Sequence, residues 1–368
     1  MNEATAPGGS AHRTLRNLAA IVVVVAGLKL AAPLLVPIGF ALFLAVLSLP
    51  LFRRLLARGV PAGFAILVTV FVLLTGVGAF GLLLLGSLGE LREVAPVYAQ
   101  TLGERIAYTI EWWQERGIAI ADWVPPRWRD PERIVELLGV AIRSTVFFLS
   151  ETVIVFLLLV FFLGEAAVFQ RKLARLPPSL VTSVARLAEV SRELQRYLVI
   201  KTAMSTLIGV SAALWLAMLD VDFAVLCGLA AFALHFVPNV GAILAAIPAM
   251  LIAFLQHDPL KAVLVAVGYF VLALVLGSLV EPALMGRRLG LSTLAVFLSL
   301  LVWGWLWGPI GMFLSVPLTM ALRMLLGTSL EWRWLAVLLD APPRPPAGAD
   351  EIEPANPPAE SAAANGGL

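Results

Sequence analysis

The chain has 368 residues, 60% of them hydrophobic and 14% charged, against about half and a quarter in a soluble domain. The net charge of +2 says little beside its distribution, no nucleic-acid partner is expected, and the single cysteine, Cys227, excludes an internal disulfide. His12, His235 and His257 lack metal-ligand spacing, and no HExxH, phosphate-binding loop or GxSxG elbow occurs, which excludes a zinc protease, a nucleotide-driven pump and a serine hydrolase and leaves no cofactor or metal to expect.

Runs such as Ile21–Val25 and Val153–Leu163 are continuously apolar. They lack the alternation of a membrane β-barrel and suit helices of about 20 apolar residues that cross a bilayer. The expected fold is therefore all-α and polytopic, with about eight transmembrane segments.

Residues 1–12 read as a disordered N-terminus. Residues 13–86 read as three membrane helices. The first covers about Leu15 to Ala32 and is a retained span, since no small-residue cleavage pattern follows it. Pro33 and Pro37 are expected to break it. The second runs to Phe52, before Arg53, Arg54, Arg58 and a turn at Gly59 and Pro61. The third starts at Ala62 and continues past Gly86 beyond the lipid.

Residues 87–145 hold nine acidic and seven basic residues together with Trp112, Trp113, Trp123 and Trp128. They read as a periplasmic helical excursion with tryptophans suited to the interface. Asp130–Pro131 has the form of an N-cap followed by proline at the first helical position. A fourth membrane helix falls within 146–170.

Residues 171–198 read as a cytoplasmic amphipathic linker, with Leu180, Val184, Leu187, Leu194 and Leu198 at helical spacing. That face suits packing on the protein's own membrane domain or on lipid. A fifth span, Val199–Leu219, ends at Asp220 and Asp222, which mark an interface.

The positive-inside rule places Arg13, Arg16, the Arg53–Arg58 loop and the 171–201 segment in the cytoplasm. Both termini are then cytoplasmic in a multi-pass bacterial inner-membrane protein. Within 199–326, two apolar stretches are interrupted. Residues 223–255 break at His235 and at Pro238–Asn239–Val240–Gly241, and 291–326 break at Gly308–Pro309–Ile310–Gly311. Charge balance favours a hairpin at each, one entered from outside and one from the cytoplasm. Paired Gly/Pro-interrupted segments of opposite orientation point to a transporter site, because broken backbone at membrane depth is tolerated only against protein or a water-filled cavity. Two kinked helices packed by glycine are the plainer alternative.

The stretch Glu281-Pro-Ala-Leu-Met-Gly-Arg-Arg-Leu-Gly-Leu-Ser-Thr-Leu294 continues through Phe297-Leu-Ser-Leu-Leu, Trp303-Gly-Trp and Gly308-Pro-Ile-Gly-Met-Phe-Leu-Ser-Val-Pro-Leu-Thr319. It resembles the C-terminal signature of the autoinducer-2 exporter family, and Phe236-Val-Pro-Asn-Val-Gly241 resembles that family's other hallmark. The resemblance covers about Leu15–Leu326 and is strongest to the branch that exports autoinducer-2. It implies an eight-segment inner-membrane exporter of a small polar quorum-sensing signal, assembled as a homo-oligomer, with a pentamer the expected form. One family branch is linked instead to sodium/proton exchange. The sequence departs from its relatives at His235, where they often carry Asn or another polar residue.

The candidate pathway residues are His235, Pro238, Asn239, Gly241, Glu281, Pro282, Arg287, Arg288, Gly308, Pro309 and Gly311. A carboxylate at bilayer depth costs roughly 3 kcal/mol, so Glu281 either carries a proton or coupling cation, or pairs with Arg287 or Arg288 at the interface. Histidine is the side-chain type that changes charge near neutral pH, which suits His235 either to titration or to a satisfied buried place. Asn239 offers donor and acceptor to a polyol-like solute. Trp303, Trp305 and Trp307 suit interfacial anchors. Residues 327–368 read as a mostly disordered cytoplasmic tail. The expectation is a transporter of a small polar solute with possible proton or sodium coupling. A sodium/proton antiporter and a non-transporting scaffold are the rivals, and no nucleophile–base pair suggests an enzyme.

Overall fold

In the computed structural model the described residues are 8–116, 132–173, 178–238, 240–285, 291–328 and 333–340. They form helices and turns, with a single isolated β-bridge between Leu291 and Asp340. Asn239, Arg287, Arg288, Trp123, Trp128, the Asp130–Pro131 cap and the tail beyond Asp340 lie outside the described residues. The protein is an all-α polytopic membrane protein, as a chain must be when lipid leaves each backbone amide to find its partner within its own helix.

Helix α1 (Gly8–Leu30) passes into α2 (Ala32–Ala57) through one residue, Ala31. The break expected at Pro33 and Pro37 thus falls earlier. Pro33 sits in the first turn of α2, where a backbone N–H has no helical acceptor to miss, and Pro37 lies buried inside the helix. α3 (Ala62–Gln114) has 53 residues, about 80 Å at 1.5 Å per residue. It therefore projects far beyond a hydrocarbon layer of about 30 Å.

The fourth span is the middle of a longer helix, α4 (Glu132–Leu173). The basic amphipathic segment from Pro178 and the fifth span form one continuous helix, α5 (Pro178–Met218). No proline follows Pro178 within it, and Gly209 is its one glycine, so nothing stops the helix between the two. Next come α6 (Ala224–His235), α7 (Gly241–Gln256) and α8 (Pro259–Leu272). A π-helical segment (Ala273–Val280) and α9 (Glu281–Met285) continue α8. α10 (Thr293–Thr328) and α11 (Arg333–Leu339) complete the described chain.

Among the described residues six helical stretches are long and apolar enough to cross a membrane: Ala32–Ala57, Ala62–Tyr108, Ile142–Phe169, Ser191–Met218, Pro259–Met285 and Thr293–Gly327. Phe71, Leu82, Val153, Phe161 and Phe270 point outward, with more than half of each exposed. Such a belt belongs in lipid.

Two cores hold the helices together. In one, Phe43 and Phe52 of α2 pack with Leu159 and Leu163 of α4, Leu198 of α5 and Leu314 of α10. The other joins α5, α6, α7 and α8 through Ala212, Cys227, Ala231, Ala245, Ala249, Val265 and Tyr269. Its small residues let backbones approach closely. A Cβ on Gly209 would lie 2.8 Å from the carbonyl oxygen of Gly228, so α5 and α6 touch main chain to main chain.

Candidate solute pathway

Both interrupted segments fold back on themselves. At the first, α6 ends at His235 and α7 begins at Gly241. The Gly241 N–H donates to the carbonyl of Val237 at 3.1 Å, and a Cβ on Gly241 would overlap the carbonyl of Leu234. Glycine is therefore what brings the arms together. At the second, Gly308 turns α10 with φ 65° and ψ −148°, a conformation essentially confined to glycine. Pro309 opens the return arm, and a Cβ on Gly311 would overlap the carbonyl of Trp303. The Trp303 indole donates to Thr319 Oγ1 at 3.0 Å across sixteen positions, which a straight helix would hold about 24 Å apart. α10 is thus a hairpin of two arms.

The hairpins meet through aromatic rings. Phe236, the residue after His235, lies 4.2 Å from Phe313 on the return arm of α10, centroid to centroid, and Phe43 of α2 packs on both.

Beside Phe236, three ionisable side chains converge. Lys201 of α5 donates from Nζ to Glu281 Oε1 at 2.8 Å, and His235 Nε2 lies 2.9 Å from Glu281 Oε2 and 3.3 Å from Lys201 Nζ. The side chains of Lys201, His235 and Glu281 are 7%, 11% and 12% exposed. Burying a lysine or a glutamate alone is prohibitive. Together their charges cancel, and removing one partner of such a pair costs about 3–5 kcal/mol. The π-helical segment delivers Glu281 to this place: the Glu281 N–H donates to Leu276, five residues back. Isolated π turns are frequent at functional sites.

The triad lines a cavity of about 410 Å³ between α5, the first hairpin and the α8–π–α9 helix. That volume falls in the range of small-molecule sites. Pro238, Ser278 and Pro282 line it, among mostly apolar neighbours. Tyr269 also lines it and is 6% exposed, and its hydroxyl has no hydrogen-bond partner among the described residues.

Of the residues singled out in the sequence, His235, Pro238, Glu281 and Pro282 meet at this cavity. Gly241, Gly308, Pro309 and Gly311 build the turns and do not line it. Arg287 and Arg288 lie outside the described residues, and the described partners of Glu281 are Lys201 and His235. Lys201 and Tyr269 escaped sequence reading. The signal for Lys201 was a lysine well inside the apolar stretch Ser191–Met218, hidden because it also closes the basic run of 171–201. Tyr269 carried no signal. Asp220 and Asp222 join a separate cluster: Tyr98 donates to Asp222 Oδ2 at 3.3 Å, Gln256 donates to Tyr98 at 2.6 Å, and His257 Nε2 lies 2.8 Å from the Asp220 carbonyl oxygen.

Lipid-facing helices, two broken hairpins and a charged triad opening on a cavity define a polytopic membrane transporter. The family model described as AI-2E family transporter matches residues 18–331, and the chain belongs to that family. It is 34% identical over 322 residues to the AI-2 transport protein TqsA of Escherichia coli K12, covering 88% of this chain and 94% of that one. It is 36% identical over 336 residues to a candidate transport protein of Haemophilus influenzae, covering 89% and 96%. With YhhT, a candidate transport protein of Escherichia coli K12, it shares 32% over 343 residues, covering 93% and 98%.

Proposed function

We propose that this protein exports a small, neutral, hydroxyl-bearing solute of the autoinducer-2 type, a quorum-sensing signal, across a bacterial inner membrane. The observation that carries the reading is the cavity itself, mostly apolar and lined by the charge-compensated Lys201, His235 and Glu281 together with Ser278. Similarity to a protein named for AI-2 transport supports the choice of solute. Asn239, next to Pro238 in the chain, is proposed as a second solute contact on its chemistry.

A sodium/proton antiporter is the rival within the family. Against it stands the Lys201 ammonium, 2.8 Å from Glu281, where a bound sodium ion would need the carboxylate. A scaffold would have no use for broken backbone at membrane depth. The proposal includes cytoplasmic termini, from the basic segments, and a homo-oligomer, a pentamer by family resemblance.

The test is efflux from proteoliposomes loaded with autoinducer-2. Efflux above empty vesicles is expected, with Ala242→Phe, which adds a ring to the cavity lining, lowering it about tenfold, the rate equivalent of about 1.4 kcal/mol. Sodium or proton flux without solute efflux would move the assignment to the antiporter.

A further inference from the structure

The imidazole nitrogen between Lys201 and Glu281 faces two partners that make opposite demands. His235 Nε2 lies 2.9 Å from Glu281 Oε2 and 3.3 Å from Lys201 Nζ. An ammonium can only donate, and an ionised carboxylate can only accept. Nε2 can therefore serve Glu281 as an N–H donor or Lys201 as a lone-pair acceptor, and a single proton decides which.

We propose that Lys201, His235 and Glu281 form a one-proton coupling site, with His235 relaying the proton to Glu281 and Lys201 as the standing counter-cation. In the empty state the carboxylate accepts from Lys201 through Oε1 and from His235 Nε2–H through Oε2. An incoming proton binds Nδ1 of the imidazole while the Nε2 proton passes to Oε2. The imidazole is neutral before and after, Glu281 becomes a carboxylic acid, and the site gains one proton and one positive charge. Oε2–H now donates to Nε2, whose lone pair also faces Lys201. Release runs the same steps backwards.

Three elements meet at this switch: α5 through Lys201, the first hairpin through His235, and the α8–π–α9 helix through Glu281. Only in the unprotonated state does an ionised carboxylate accept from both Lys201 and His235, and hydrogen bonds to a charged acceptor are about twice as strong as neutral ones, so proton occupancy governs how firmly the hairpin is held at the cavity. Phe236 carries that state on to Phe313 of the second hairpin. Among the described residues, Glu281 is faced by Lys201 and Tyr197 from α5 and by His235 from α6, and α8 adds Tyr269 in the cavity wall. Arg196 is engaged a turn further on, donating to the Leu284 carbonyl at 3.4 Å. Among the described residues Lys201 is thus the fixed cation that pairs with Glu281, and Glu281 the carboxylate of the triad.

The proposal rests on the solute pathway only for what the proton drives, so two measurements separate the readings. Infrared difference spectra of the reconstituted full chain, stepped from acidic to alkaline pH, are expected to show a buried carboxylic-acid band. That band should vanish in Glu281→Gln and shift in His235→Gln. In autoinducer-2 proteoliposomes, each unit of pH gradient should drive about tenfold solute accumulation against the proton flow, the equivalent of 1.36 kcal/mol. In Glu281→Gln the solute accumulated should no longer depend on the pH gradient. The Lys201→Met/Glu281→Gln pair, which leaves no unpaired charge, repeats the test if the single variant misfolds. Absence of a titrating band sensitive to Glu281→Gln overturns the coupling site, as does solute exchange in the unaltered protein that ignores the pH gradient. A titrating band without any solute exchange supports the proton site and overturns the solute reading instead.

Discussion

At the first hairpin the residue before the turn is His235, set against Glu281 and a cavity. At the second it is Trp307, whose indole nitrogen donates to the Leu28 carbonyl of α1 at 3.2 Å. Both turns use a glycine pressed on the carbonyl of the opposite arm, Gly241 on Leu234 and Gly311 on Trp303. Both return arms carry an internal proline, Pro248 and Pro317. The bonds around them differ. The second hairpin is anchored on several sides: Lys29 stacks over Trp305 at 3.8 Å, the Ser292 N–H donates to Leu339 at 3.0 Å, and Arg323 pairs with Asp340. The first is held by small-residue packing and by a charge cluster that one proton can alter. A broken helix is therefore a way of folding the chain, and a pathway arises where the break also brings charge to a cavity.

The largest expected effect treats the hairpins alike. Gly241→Val and Gly311→Val each force a side chain into backbone, and overpacking of this kind costs about 3 kcal/mol or more. Neither variant should yield a monodisperse protein in detergent; a well-behaved Gly241→Val with an intact cavity would break the equivalence. Next comes a change that touches only the first hairpin's site. Lys201→Met leaves Glu281 buried without its cation and should lower stability by about 3–5 kcal/mol. Adding Glu281→Gln should return most of it, as thermal unfolding in detergent would show.

How far the sequence led differs between these features. Gly241 and Gly311 were legible because glycine and proline break apolar periodicity in plain view. The triad was half legible: His235 and Glu281 stand out as polar residues in apolar runs, whereas Lys201 belongs by sequence to a basic stretch that reads as cytoplasmic. The π segment Ala273–Val280 was invisible, since ALVLGSLV would wind as readily into an α-helix. The pairing of α5 with α9 depends on residues 80 positions apart, and no local pattern encodes it.

A smaller effect belongs to the second hairpin. Thr319→Val keeps shape but strands the Trp303 indole, at about 2 kcal/mol, and should leave the pH response of transport unchanged. The smallest is the link between the two. A double-mutant cycle of Phe236→Leu and Phe313→Leu should give a coupling energy of about 1 kcal/mol. A value near zero would mean that the hairpins touch without communicating.

Cys227 has a practical consequence. It is the chain's one cysteine, 1% exposed, on α6 where that helix packs against α5, α7 and α8. A membrane-permeant thiol reagent can reach it only when the first hairpin parts from its neighbours. Its alkylation rate is thus a clock already wired into the unmodified chain, and because the thiolate is the reacting form the comparison that reads opening is the unaltered chain against Glu281→Gln at one pH.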